Sequence, residues 1–195
     1  MKNKLAYTLM TFGIVFIVSA ISLLIYNNYE NSNAQKSSAA IVDTIRRTVD
    51  ENKELDLPTD PFDDNMKIQE IDGYGYIGYI SLPALNLDLP VMSEVDTARL
   101  KISPCRYYGS TKTNNLVIAA HNYRYHFGYL GKMQIGDVVI FTDVESNIYN
   151  YVVDSIEELM PTDVDKVKDS GSDLILYTCT YTGTKRITVR CSLVE

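Results

Sequence analysis

The hydrophobic positions of this chain fall into three regimes. From Leu5 to Tyr26 the run LAYTLMTFGIVFIVSAISLLIY is apolar without interruption and carries no charge. Twenty-two residues of helix span roughly 33 Å, the thickness of a bilayer core of about 30 Å. Lys2 and Lys4 precede the run, and Asn27, Asn28 and Glu30 come after it. This asymmetry predicts an uncleaved anchor with a cytoplasmic tail over residues 1–4 and the rest of the chain outside. A signal peptide has a shorter apolar core and ends in small residues; here Ser19-Ala20, inside the run, is the only such pair.

Residues 27–72 read as a stalk. Asn, Ser and Ala dominate its start, and then Ile41, Ile45, Val49 and Leu55 recur at helical spacing over Ala39–Leu55. The block Leu57-Pro58-Thr59-Asp60-Pro61 ends that helix, because each proline and the residue before it disfavour helical backbone. The pattern leaves open whether the helix packs on the C-terminal domain or only spaces that domain from the membrane.

From Gly73 to the end, short runs rich in Val, Ile, Tyr and Thr alternate with Gly, Asn, Asp and Pro. Expected strands are Tyr76–Ser81, Leu85–Val91, Leu116–Ala120, Asp137–Thr142, Ile148–Ile156, Leu174–Cys179 and Arg186–Leu193, with short helical turns near Thr97–Ile102 and Thr162–Lys168. Strands without long intervening helices predict a mainly β domain, a closed or nearly closed barrel of seven to eight strands, over residues 73–195. The stretch between Ile156 and Leu174 is too short for a large inserted helix.

Composition narrows the function. A hydrophobic fraction of 46% with 22% charged residues is that of a globular chain. The net charge of −7, with no basic stripe, argues against nucleic acid as a partner. Three cysteines (105, 179 and 191) form no CxxC pair, and the two histidines (121 and 126) give no zinc spacing; no metal or cofactor is expected. An odd number leaves at least one thiol unpaired, either buried or reactive. Cys105 and Cys191 are expected as two buried thiols rather than a disulfide.

The last two strands carry the chemistry. Alternation puts Leu174 and Leu176 on one face of DLILYTC and Tyr177 and Cys179 on the other; in RITVRC it separates Ile187, Val189 and Cys191 from Arg186, Thr188 and Arg190. If the aliphatic faces both bury, Cys179 and Arg186 emerge together on the outside. His121 closes the run LVIAA, also at a strand end. A cysteine beside an imidazole or guanidinium gains reactivity. His121 then shuttles protons, and Arg186 stabilises an oxyanion or orients a carbonyl. Each residue alone has a plainer explanation: a core thiol, a solvated histidine, a surface charge. Lys185 and Arg190 are rival cations, but Lys185 has the wrong strand parity and Arg190 lies about 13 Å further along. His126 falls in the loop HNYRYHFGYL as packing, groove lining or a solvated residue. No acidic third member of a triad stands out.

Five segments together resemble the sortase family. LILYTC matches its apolar strand ending in Thr-Cys, and Arg186 in KRITV sits at its arginine position. VIAAH (Val117–His121) is similar to the strand that delivers its histidine, with Ala120 where glycine is more usual. GYISLPALNLDLPV (Gly78–Val91) and GDVVIFTD (Gly136–Asp143) are similar to other family strands. The resemblance covers about residues 76–193. It implies an eight-stranded sortase barrel and a membrane-anchored cysteine transpeptidase of a Gram-positive bacterium. Cys179 would attack a C-terminal sorting signal of LPXTG type, and an amine of a cell-wall precursor or a pilin subunit would resolve the thioester. Thr178 is implied at the substrate site, and Tyr181 is added from its position alone. A catalytically idle binding module and a cysteine protease are the alternatives; the subclass stays open.

Overall fold

The computed structural model describes residues 2–55, 65–168 and 170–194. A single helix, α1, runs from Lys2 to Leu55. The apolar run and the expected stalk helix are therefore one element, not two segments with a break. No glycine or proline occurs between Gly13 and Leu55, so nothing in the sequence interrupts the backbone ladder once both ends are helical. The proline block at 57–61 lies outside the described residues.

The β-strands are β1 (Gln69–Ile71), β2 (Tyr74–Leu82), β3 (Leu87–Met92), β4 (Cys105–Tyr108), β5 (Leu116–Ala120), β6 (Val138–Asp143), β7 (Ile148–Leu159), β8 (Leu174–Cys179) and β9 (Arg186–Leu193). Two one-turn helices, α2 (Thr97–Leu100) and α3 (Asp165–Lys168), sit in connections. Strand order is β2-β3-β4-β5-β8-β9-β7-β6, and pairing of β6 back onto β2 over Gly78–Ser81 closes an eight-stranded barrel, with β1 an extra hairpin strand on β2. The expected closed, mainly β barrel is thus observed. The expected strands lie within a few residues of the observed ones, and β5 and β8 match their predicted bounds. The run predicted from Leu85 starts at Leu87, because Pro83–Leu85 forms a 3-10 turn closed by Asn86 in the left-handed region. β1 and β4 are unexpected: one is three residues long, and the other carries a bulge between Arg106 and Tyr108 that breaks the alternation.

Closure requires a glycine. Gly78 has φ +149, and a Cβ there would lie 2.1 Å from the Thr142 carbonyl oxygen on β6. Only a residue without a side chain lets β2 and β6 approach at this point.

Inside the barrel, Ile77, Ile80, Val91, Leu116, Ile118, Phe141, Tyr151, Leu174, Leu176 and Val189 form the main core. Two clusters cover its outside. Val117, Leu159, Val167 and Ile175 pack together with Tyr107 and Tyr177, and Val167 brings α3 onto that face. In the other cluster, Ile45 and Val49 of α1 bury against Tyr76, Met92, Cys105 and Val144. The stalk helix therefore packs on the barrel, which the sequence left open. Arg46 extends the seam by pairing with Asp88 at 2.8 Å over the Tyr79 ring, and the Val49 carbonyl accepts the Ser146 hydroxyl at 2.6 Å.

Candidate active site

β5 and β8 run parallel and side by side, with Ala120 opposite Thr178 as their last pair. The next residues on the two paths are His121 and Cys179, so two chains about 4.8 Å apart deliver an imidazole and a thiol to the same end of the barrel. β9 returns antiparallel to β8 with Arg186 directly opposite Cys179. Leu174, Leu176 and Val189 face the core, whereas Ile175 and Tyr177 belong to the outer cluster. By the strand period Cys179 and Arg186 share that outer face. All three residues are half-buried.

Burial lowers the His121 pKa below its ordinary value, and the Lys101 charge adds to the effect. The imidazole is therefore mostly neutral at pH 7 and disposed to accept a proton. Its ring stacks on Tyr123 at 4.8 Å between centroids.

Arg186 is held by the β8–β9 loop. Its Nη1 donates to the carbonyls of Gly183 and Lys185, both at 3.1 Å. The loop itself is closed by Thr180 N to Lys185 O at 2.9 Å and Gly183 N to Thr180 O at 2.9 Å, with Gly183 at φ +73. Among the described residues Arg186 makes no ion pair, whereas both rival cations do: Lys185 reaches Glu158 at 3.0 Å, and Arg190 reaches Glu157 at 2.5 Å. A guanidinium fixed by carbonyls and free of a carboxylate keeps its charge available to an incoming anion.

Thr178, expected at the substrate site, is 2% exposed and donates its hydroxyl to the Ala120 carbonyl at 2.8 Å. It ties the two strands one residue before they deliver the thiol and the imidazole. Tyr181 is fully exposed at the start of the β8–β9 loop. Sequence reasoning missed Asn122, whose Nδ2 donates to the Thr180 carbonyl at 3.2 Å and bridges the loops leaving β5 and β8. Its place directly after His121 is the available signal. Strand parity identifies Tyr177 only as an outward residue. Burial raises its phenol, and the nearby Arg186 opposes that rise.

Cys105 and Cys191 are free, buried thiols, and burial pushes each up to about 12, so neither is a nucleophile at neutral pH. His126, in the loop after β5, is fully buried and its pKa falls to about 4. Between Leu159 and Leu174 the described residues contain only the four-residue α3. Among the described residues no three His, Cys, Asp or Glu side chains converge as a metal site.

Residues 80–194 match the family model for the sortase domain. The chain belongs to the sortase family. Sortases are in general transpeptidases that act on sorting-signal substrates. The chain is 26% identical to sortase A of Bacillus anthracis over 163 residues, covering 77% of each protein. Among solved structures it resembles a Clostridium perfringens sortase D5 transpeptidase at TM-score 0.62 and 18% identity, over 82% of this chain and 99% of that one. It also resembles sortase C1 of Streptococcus agalactiae at TM-score 0.57 and 28% identity, over 77% and 88% of the respective chains. A third, C. perfringens sortase C with a C-terminal cell wall sorting motif, is 22% identical at TM-score 0.55, over 80% and 90%.

Proposed function

We propose that this sortase cleaves an LPXTG-like C-terminal sorting signal through a thioester on Cys179 and transfers the protein to an amine of the cell wall or of a pilin. The observation that carries the reading is the register: His121 and Cys179 come directly after the last pair of two parallel strands, and Arg186 stands opposite Cys179.

The chemistry begins from the neutral imidazole. As the Cys179 sulfur bonds to the scissile carbonyl carbon, its proton passes to His121, and Arg186 donates to the oxyanion. Collapse breaks the C–N bond, and His121 gives that proton to the departing amine. The incoming amine then attacks the thioester and loses a proton to His121, and the sulfur leaves and is reprotonated. Thr178 holds the floor beneath this site through Ala120, and Tyr181 offers an exposed ring to the bound peptide.

The helix window Leu9–Tyr26, with mean hydropathy 2.4, is long and apolar enough to cross a bilayer. We place residues 5–26 in the cell membrane of a Gram-positive bacterium, the tail at 1–4 inside, residues 27–72 as the stalk and the barrel at 73–195 outside, in accord with the lysine asymmetry.

The test incubates the full chain in detergent with a panel of LPXTG-like peptides and a small amine. Amine-dependent ligation is expected. Cleavage indifferent to amine would make the protein a cysteine protease, and no reaction with a probe-inert Cys179 would leave a binding module. Cys179→Ala and His121→Ala should abolish turnover, and Arg186→Ala should lower it at least about a hundredfold, the loss typical of one oxyanion donor. Turnover like wild type in Arg186→Ala would sink its assignment.

A further inference from the structure

The loop that leaves β5 folds around the imidazole that it begins with. The His121 carbonyl accepts the Phe127 N–H at 3.1 Å, and the Tyr123 carbonyl accepts both His126 N–H at 3.0 Å and Gly128 N–H at 2.9 Å. Phe127 and Leu130 then bury fully in the barrel core, anchoring the far end of the loop. A Cβ on Gly128 would lie 2.6 Å from the Tyr123 carbonyl oxygen and 2.7 Å from that of Asn122, so the coil closes only around glycine. Within it three rings lie in sequence. Tyr123 stacks on His121 at 4.8 Å with 28° between planes, and His126 meets Tyr123 at 5.5 Å and 37°.

His126 is fully buried, yet neither of its ring nitrogens makes a well-formed hydrogen bond. The Ile102 backbone is its nearest polar neighbour, and its ring meets the Tyr123 ring. Tyr123 is 38% exposed, so one side of its ring meets solvent while it covers the imidazole.

We propose that Tyr123 is a positioning residue for His121, held as a cover over the imidazole by the buried plate of His126. The inference rests on the proton-shuttle role proposed above for His121. A general base must sit within hydrogen-bond reach of the proton it moves, and small misplacements are costly. The backbone of His121 is fixed by the loop, and its ring is fixed by this stack, so the stack sets where the imidazole points. The charged and titratable groups around it are Lys101 from the turn after α2, His126 and Tyr123 on its own loop, and Cys179 and Arg186 at the neighbouring strand ends.

The test uses the full chain in detergent micelles with isotope-labelled histidine, so that His121 is read by NMR independently of turnover. In Tyr123→Ala the uncovered imidazole should titrate closer to its ordinary value, and kcat should fall at least about tenfold while KM changes less than about twofold. Tyr123→Phe and His126→Phe keep flat rings in place and should retain both the His121 titration and kcat. A Tyr123→Ala variant with an unchanged titration and kcat overturns the proposal, and so does a Tyr123→Phe variant as damaged as Tyr123→Ala. If no peptide is turned over but the titration still moves in Tyr123→Ala alone, the stack stands and the transpeptidase reading fails.

Discussion

The hydroxyl of Thr178 ties together the two strand ends that deliver Cys179 and His121. It donates to a buried carbonyl one residue before both the thiol and the imidazole. Thr178→Val keeps the branched shape and removes the donor, so the buried side-chain hydrogen bond to the Ala120 carbonyl is lost at a cost of about 1 kcal/mol. A thermal melt should show a drop of several degrees, with the core otherwise intact. His126 gives a pH signature. Its folded pKa of about 4 lies below an ordinary value of about 6.5. The unfolded chain therefore binds the proton more readily, and stability is lost as pH falls from about 6.5 toward 4. His126→Phe should flatten that part of the melting-temperature profile; a profile as steep as wild type would assign the acid sensitivity to other groups. Of the residues at this site, Cys179 and Arg186 are legible in the sequence because strand parity is a local property. His121 is legible as a strand-end residue and, for its role, mainly through the resemblance to a family. Packing is among the readings the sequence allows for His126 and is what its burial shows, whereas the contacts of Asn122 and Tyr123 depend on a loop coiling back on itself and are not legible.

At the scale of elements, the strands are readable where alternation runs for five residues or more and unreadable where it is short or bulged. That the barrel closes is readable, but which strands close it is not, because β2 meets β6 across some sixty intervening positions and nothing local marks the seam except Gly78. Gly78→Ala places a methyl against the Thr142 carbonyl, which should open or distort the β2–β6 pairing. Faster amide exchange at Gly78–Ser81, with the β8–β9 pairing unchanged, would report it. The docked half of α1 separates two kinds of contact. Ile45 is fully buried, whereas both partners of the Arg46–Asp88 pair are more than a third exposed. Ile45→Ala should cost about 2–4 kcal/mol as a cavity mutation, and Arg46→Ala less than about 1 kcal/mol. Denaturant titration of both variants checks the order, and a larger loss from Arg46 would mean that the seam is electrostatic.

For the whole molecule, the apolar run and the barrel are visible in the sequence, and the continuity of that run with the helix after it is not. Helical periodicity fades between Asn27 and Ser38, where small and polar residues give no face to read, yet the backbone passes through as helix. That continuity has a mechanical meaning. With the apolar run placed in a bilayer as proposed above, a flexible tether would let the candidate site sample every height above it, whereas a helix clamped to the barrel from Ile41 onward would work as a ruler. Ile41 lies fifteen helical steps beyond Tyr26, about 22 Å at the helical rise. Under the anchoring and cleavage proposed above, substrates borne on the same membrane would have to present their cleavage site at one fixed altitude, while freely diffusing peptides would meet no such demand. Seven residues of Ala, Glu and Lys inserted after Tyr26 nearly preserve the phase of the docked face and lift the barrel by about 10 Å. In proteoliposomes, turnover of a short soluble peptide should stay as in wild type while processing of a membrane-held substrate changes. Equal effects on both would show that the helix is a leash and not a gauge.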